Sequence, residues 1–137
     1  MKIVLDDGAY MPERAHSTDA GLDLKTPKPL LIKPKSSVVV DTGVHVELPP
    51  NTVGMLKSKS GLNMKYGITS EGVIDEGYTG AIVAKLYNNG DEPVVLTEGS
   101  KITQLVILPV IIPDALDVVE SLEDTERGDN GFGSSGE

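Results

Sequence analysis

Apolar residues in this chain come in short runs rich in Val and Ile, split from one another by Pro and Gly. The clearest runs cover residues 37–40, 43–48, 81–86, 94–96 and 102–112. Turn-forming stretches lie between them: Pro27-Lys28-Pro29, Pro49-Pro50-Asn51, Asn88-Asn89-Gly90-Asp91 and Thr97-Glu98-Gly99. No segment keeps a 3.6-residue period for three turns. Short strands punctuated this way predict an all-β fold, a jelly-roll-like sandwich or barrel. Asn89-Gly90 reads as a hairpin turn. One short helix is expected, over residues 61–66, with Ser60 as its N-cap.

The stretch Gly72-Val73-Ile74-Asp75-Glu76-Gly77-Tyr78-Thr79-Gly80 leads straight into the 81–86 run and predicts a β-hairpin. Its glycines stand where the backbone bends or something approaches it closely. At the turn of a rigid hairpin Asp75 is held in one orientation, which suits a catalytic base, and Tyr78 offers a flat face beside it. A plain surface turn with a solvated Asp is the competing reading. Asp19 and Asp23 flank Gly21 in Asp19-Ala20-Gly21-Leu22-Asp23-Leu24. Acids four apart are compatible with a metal ion, but in extended chain they more often cap turns or pair with a base, which is the expectation here. Lys57-Ser58-Lys59-Ser60-Gly61-Leu62 alternates base and hydroxyl before the expected helix. Two readings stay open for it: a capped helix with solvated lysines, or an anion site built on helix N–H groups and the Ser60 hydroxyl. Gln104 interrupts a run that otherwise reads as core, so its amide needs a partner, more often structural than a ligand.

Length and charge narrow the choices. The 137 residues fit one domain with a real core. With no cysteine there is neither a disulfide framework nor a Cys-based zinc site. Asp6-Asp7 soon after the start argues against a secretory signal, and no apolar run is long enough for a membrane span, so a cytoplasmic protein is expected. Twelve Lys and Arg against 21 Asp and Glu give a net charge of -9, which speaks against nucleic-acid binding. A small anionic ligand remains open, since a site can be locally positive or borrow a metal's charge. The end of the chain turns acidic from Glu120 and then reads Arg127-Gly128-Asp129-Asn130-Gly131-Phe132-Gly133-Ser134-Ser135-Gly136. Such a tail cannot build a core, yet it holds the protein's one Phe beside an Arg and two hydroxyls. A lid over a flat anionic ligand uses those groups; an unstructured tail with an incidental Phe is the alternative. The expected division is residues 1–123 as the β domain and 124–137 as a flexible arm that closes over a ligand.

Five segments in this order resemble the trimeric deoxyuridine triphosphate nucleotidohydrolases (dUTPases). They are residues 19–24, Lys59-Ser60-Gly61-Leu62, residues 72–80, Gly99-Ser100-Lys101-Ile102-Thr103-Gln104-Leu105, and residues 127–136. The resemblance covers nearly the whole chain and implies a jelly roll that splits dUTP into dUMP and pyrophosphate. It implies Asp75 as the base that activates water for attack at the α-phosphorus, and Tyr78 as the ring beneath the deoxyribose. Gly72, Val73, Ile74 and Val83 fall at the slot that reads the uracil edge. Lys59, Ser60, Gly61 and Gln104 match phosphate-binding positions, with Asp23 as a supporting carboxylate. Arg127 resembles the γ-phosphate clamp, Phe132 the ring that stacks on uracil, and Gly133, Ser134 and Ser135 further phosphate donors. The implied cofactor is Mg2+, held mainly by the triphosphate and water. The implied assembly is a homotrimer with sites shared between chains. Lys59 and Lys101 stand where the family usually has arginines, Leu22 replaces a frequent aromatic, and Asn130 replaces a common glycine. A lysine cannot form the bidentate fork of an arginine.

Two other functions compete with this one. A dCTP deaminase resembles this fold, but its Glu and Arg/Ser pattern is missing around Lys57-Ser58-Lys59-Ser60. A nucleotide-gated binding module, with a regulatory protein partner if the chain comes from a mobile element, needs no further residue.

Overall fold

The computed structural model describes residues 1–130. In chain order the elements are β1 (Lys2–Leu5), β2 (Gly21–Lys25), β3 (Leu30–Ile32), β4 (Ser36–Asp41), β5 (Val44–Glu47), β6 (Thr52–Ser58), α1 (Ser60–Tyr66), β7 (Ile68–Ile74), β8 (Val83–Asn88), β9 (Val94–Leu96) and β10 (Lys101–Pro109). A six-stranded antiparallel sheet runs β2-β10-β6-β7-β8-β4, and two ribbons, β1-β5 and β3-β9, complete the curled all-β body. This is the jelly-roll-like class expected from the short, turn-bounded runs.

Alternation fixes which face goes inward. In β8, Ala84, Leu86 and Asn88 are buried while Val83, Lys85 and Tyr87 are exposed. A one-residue slip would exchange the two sets, so the apolar pattern sets the register. Leu24, Ile32, Val40, Val44, Leu56, Ile68, Ile82, Leu86, Ile102 and Leu105 are almost fully buried in one cluster. Each such side chain contributes about 1.5–3 kcal/mol through burial.

Two local expectations need correction. Ser60 is the first helical residue and not the N-cap; that position belongs to Lys59, which is extended and makes no side-chain cap bond. The Lys59 carbonyl accepts the Asn63 N–H at 2.9 Å, while its side chain is engaged elsewhere. At the other end Gly67 closes α1 with φ of 69°, and its N–H reaches the Asn63 carbonyl at 2.8 Å. Glycine takes that conformation with no Cβ penalty.

Nor does Asn89-Gly90 make a β8–β9 hairpin, because β9 pairs with β3. Neither residue has the positive φ that a two-residue hairpin turn demands. The buried Asn88 amide redirects the chain: its Nδ2 donates to the carbonyls of Ile32 and Glu92 at 3.0 and 2.8 Å, and its Oδ1 accepts the Gly90 N–H at 2.9 Å. After Pro109 the described chain holds no strand or helix, and residues 111–130 are all exposed.

Candidate active site

Strands β7 and β8 are antiparallel neighbours, as a hairpin requires, but they pair only from Ile68 to Ser70 against Leu86 to Asn88. Towards the connecting loop they part. Residues 71–74 of β7 remain bonded to β6, and Val83 to Lys85 of β8 to β4. The cause lies at Ile82, whose N–H donates to the Val44 carbonyl at 2.8 Å. Its own carbonyl accepts the Thr42 N–H at 3.1 Å and the Thr42 hydroxyl at 2.7 Å. With Ile82 fully buried there, the start of β8 is held away from β7. Along the gap every second residue turns its N–H and C=O into open space instead of into a neighbouring strand.

That gap is a cavity of about 340 Å3 lined by Val73, Ile74, Asp75, Tyr78 and Val83. Asp75 begins a turn in which its carbonyl accepts the Tyr78 N–H at 3.1 Å, and Gly77 at φ of 86° closes it. The Tyr78 hydroxyl donates to the Ala81 carbonyl at 3.0 Å, folding the ring against Gly80. A Cβ on Gly80 would lie 2.6 Å from the ring's Cζ, so the residue is glycine because the ring occupies that space. A larger cavity of about 410 Å3 beside Ser36, Ser37 and Tyr87 holds none of the expected residues. Its one charged residue, Lys35, is taken up by the Asn89 carbonyl at 2.8 Å and Asp91 at 2.9 Å.

A second group of expected residues gathers at the other end of β6. Asp23 is 4% exposed and receives Lys59 on one oxygen and Lys101 on the other, the latter at 2.9 Å. Lys101 also reaches Glu13 at 3.4 Å, and Glu13 holds Lys25 at 2.9 Å. Burial pushes the Asp23 carboxyl up, but hydrogen bonds and charge from Lys59 and Lys101 outweigh it and hold it below the usual range. The Asp23 bond in turn raises Lys101, against a smaller opposing effect of burial. Asp19 instead caps a turn, its carboxylate accepting the His16 N–H at 2.9 Å. Both acids therefore serve pairing and capping. Gln104 donates from Nε2 to the Ser58 carbonyl at 3.0 Å, and its Oε1 lies where a Cβ of Gly21 would be, 2.1 Å from that position. Ser60 and Gly61 are exposed beside this group.

The depressed Asp23 carboxyl gives a pH signature. Its contribution is complete above the unfolded value of about 4 and fades as pH falls through the lower folded value. Asp23→Asn is expected to lower unfolding stability at pH 7 by about 1–3 kcal/mol, since two lysines lose their buried anion. In urea titrations at fixed protein concentration the gap between variant and wild type should narrow below about pH 4. A gap that stays constant from pH 7 down to pH 3 would contradict the assignment.

Residues 7–136 match the dUTPase family. The chain is 47% identical over 131 residues to the deoxyuridine 5'-triphosphate nucleotidohydrolase of Clostridium kluyveri, across 93% of this chain and 91% of that one. It is 44% identical to the protein of that name from Gloeothece citriformis, across 96% and 92%. In three dimensions it is similar to the dUTPase of Staphylococcus bacteriophage 80alpha with dUPNHPP, with TM-score 0.90 and 33% identity over 98% of this chain and 97% of that one. The chain belongs to the dUTPase family. Membership makes it an enzyme of the dUTP diphosphatase class, as the resemblance implied.

Two sets of the expected residues thus come together in this chain, but apart from each other. Val73, Ile74, Asp75, Tyr78 and Val83 share one cavity, with Gly72 next to them on β7. Asp23, Lys59 and Gln104 share the other group, next to Ser60 and Gly61. Gly54 opposite Ile74 and Ser58 beside the second group lie four residues apart on β6, about 14 Å at strand rise. Arg127 is exposed in a local turn, its Nε donating to the Asn130 carbonyl at 3.3 Å. Asn130 does not use the positive φ its glycine-like position invites; Gly128 does, at 52°. Phe132, Gly133, Ser134 and Ser135 lie outside the described residues. Sequence reasoning overlooked Glu13, whose role arises only from the fold, and the two ties of the Asp75 loop, from Thr79 to His45 and from Glu76 within the loop to Asn51.

Proposed function

We propose that this protein hydrolyses dUTP to dUMP and pyrophosphate, with Asp75 as the base for a water that attacks the α-phosphorus. The observation that carries the reading is the parted β7–β8 edge, which offers unpaired backbone groups beside a carboxylate and a tyrosine ring. A uracil edge alternates acceptor, donor and acceptor, which free strand backbone can match. Cytosine exchanges the group at the 4-position and leaves a buried backbone group unpaired, a strong form of rejection. The Tyr78 ring packs beneath the sugar in this reading and leaves no room for a 2'-hydroxyl. Uracil removal from the nucleotide pool and supply of dUMP for thymidylate synthesis follow from the products.

Phosphates have their counterpart in Lys59, Ser60, Gly61 and Gln104. The β6 neighbours of the two groups, Gly54 and Ser58, lie about 14 Å apart along the strand, and a homotrimer whose sites combine the cavity of one subunit with the phosphate group of another brings such groups together. The segment 124–137, with Arg127 and Phe132, acts as an arm over the bound nucleotide. Among the described residues no three acidic or histidine side chains converge into a metal cage. Among the described residues Asp75 is the one carboxylate lining the base cavity. That donor set fits an Mg2+ carried in by the triphosphate and its water, where the ion neutralises phosphate charge. A dUTPase mutant from phage phi11 of S. aureus, 30% identical with TM-score 0.81 over 90% of this chain, was solved for the coordination of a structural Mg(II) ion.

Pyrophosphate release measured across dUTP, UTP, dTTP and dCTP, with ammonia assayed alongside, tests the reading. Release from dUTP alone is expected; ammonia from dCTP would instead establish the deaminase. Gly80→Ala probes the sugar contact separately. Its Cβ would displace the ring tip of Tyr78, which swings at little cost to the fold. The ratio of kcat/KM for dUTP over UTP should fall roughly tenfold, about 1.4 kcal/mol. An unchanged ratio would remove Tyr78 from sugar selection.

A further inference from the structure

His45, on β5, takes no part in the chemistry described so far, yet it touches the loop that carries Asp75 and Tyr78. Its Nδ1 lies 2.8 Å from the Thr79 carbonyl, and its Nε2 lies 3.2 Å from Oδ1 of Asp6. Thr79 is the residue between Tyr78 and Gly80, so the contact is made where the ring packs on the backbone. Asp6 is itself fixed: its N–H donates to the Gly43 carbonyl at 2.9 Å and its carbonyl accepts the Ala9 N–H at 3.0 Å. At the other end of the loop the Glu76 carboxylate accepts the Asn51 N–H at 2.7 Å. The loop is therefore held from both sides, through Glu76 to Asn51 on the β5–β6 turn and through His45 on β5 to Asp6 on the segment after β1.

The two anchors differ in kind. A carbonyl and a carboxylate only accept hydrogen bonds, while a neutral imidazole has a single N–H. Both His45 contacts are hydrogen bonds only when both ring nitrogens carry protons. Loss of one proton turns a lone pair towards an oxygen, and one of the two contacts must open. Asp6 and Asp41 are the charged groups acting on the ring, and both are acidic. The Thr79 carbonyl first, and then Asp6, raise the proton affinity of the imidazole above its usual value, against a smaller push from burial.

We propose that His45 is a positioning residue of this enzyme, bridging Thr79 to Asp6 as an imidazolium so that Tyr78 is held against the sugar, and loosening that hold when it deprotonates. The inference rests on the reading of the cavity as a dUTP site. Selection of deoxyribose over ribose is thus strongest at low pH and weakens as pH rises through the raised value of His45. Ionisation of the uracil ring cancels in a comparison of dUTP with UTP, since both carry the same base.

The test is the ratio of kcat/KM for dUTP over UTP from about pH 6 to about pH 9, in wild type, His45→Ala and Asp6→Asn. In wild type the ratio should drop by about threefold to tenfold as pH rises, the worth of one hydrogen bond. His45→Ala should show the low ratio at every pH. Asp6→Asn should stay high and flat, because its amide can donate to a neutral Nε2 while Nδ1–H still serves Thr79. A histidine with a merely structural role would lower both activities together and leave the ratio unmoved. A flat wild-type ratio, or an Asp6→Asn ratio that still falls with pH, overturns the inference while leaving dUTP hydrolysis standing. No pyrophosphate from dUTP at any pH removes both readings.

Discussion

Asp75→Asn is expected to bind dUTP normally and to lose about 10²–10⁴-fold in turnover, the usual worth of a general base. The loop around it does not depend on the carboxylate. Its turn is closed by the Asp75 carbonyl and the Tyr78 N–H, and it is anchored through Glu76 and Thr79. Among the described residues the Asp75 carboxylate forms no hydrogen bond or ion pair, so the amide disturbs no packing. What changes is chemical: an amide of the same size cannot accept the proton of an attacking water. Calorimetric affinity for a non-hydrolysable dUTP analogue, measured beside kcat, separates the two effects. Normal binding with turnover within threefold of wild type would remove Asp75 from the role of base.

The second large effect is recovery of activity from two inactive parents. Asp75→Asn with an intact arm, and a second variant with Asp75 intact but truncated before Arg127, should each be nearly inactive alone. Suppose they are co-expressed equally and assemble at random into closed rings. If cavity and arm in one site come from different chains, about a quarter of sites regain both parts, one half times one half. If each chain completes its own site, no mixed trimer holds an intact one. Activity no higher than that of the parents, in samples shown by mass spectrometry to contain mixed trimers, would contradict it.

Much of this was legible in the sequence because it depends on local pattern. Short Val- and Ile-rich runs and the turn residues between them predict the strands, and the glycines of residues 72–80 mark the bend at Asp75. The parted edge was not legible, although it makes the cavity. It arises because Ile82 bonds to Thr42 and Val44, forty residues and several strands away in the chain. Asn89-Gly90 misled for a similar reason. Its dipeptide favours a hairpin, but the buried Asn88 amide finds better partners in Ile32 and Glu92 and sends the chain to β3. Ser60 looked like a cap by residue type, whereas the extended backbone of Lys59, drawn to Asp23, takes that place. The two lysines in arginine positions proved legible only in part. Sequence shows that no bidentate fork can form, but not that both lysines would converge on one buried carboxylate with Glu13 behind them.

Hydrolysis of dUTP in 18O-labelled water tests the central claim most directly. Attack by an Asp75-activated water at the α-phosphorus places the solvent oxygen on dUMP. Mass spectrometry of the products should find one labelled oxygen in the dUMP phosphate and none in pyrophosphate. Label in pyrophosphate, with unlabelled dUMP, would mean attack at the β-phosphorus and would contradict the account.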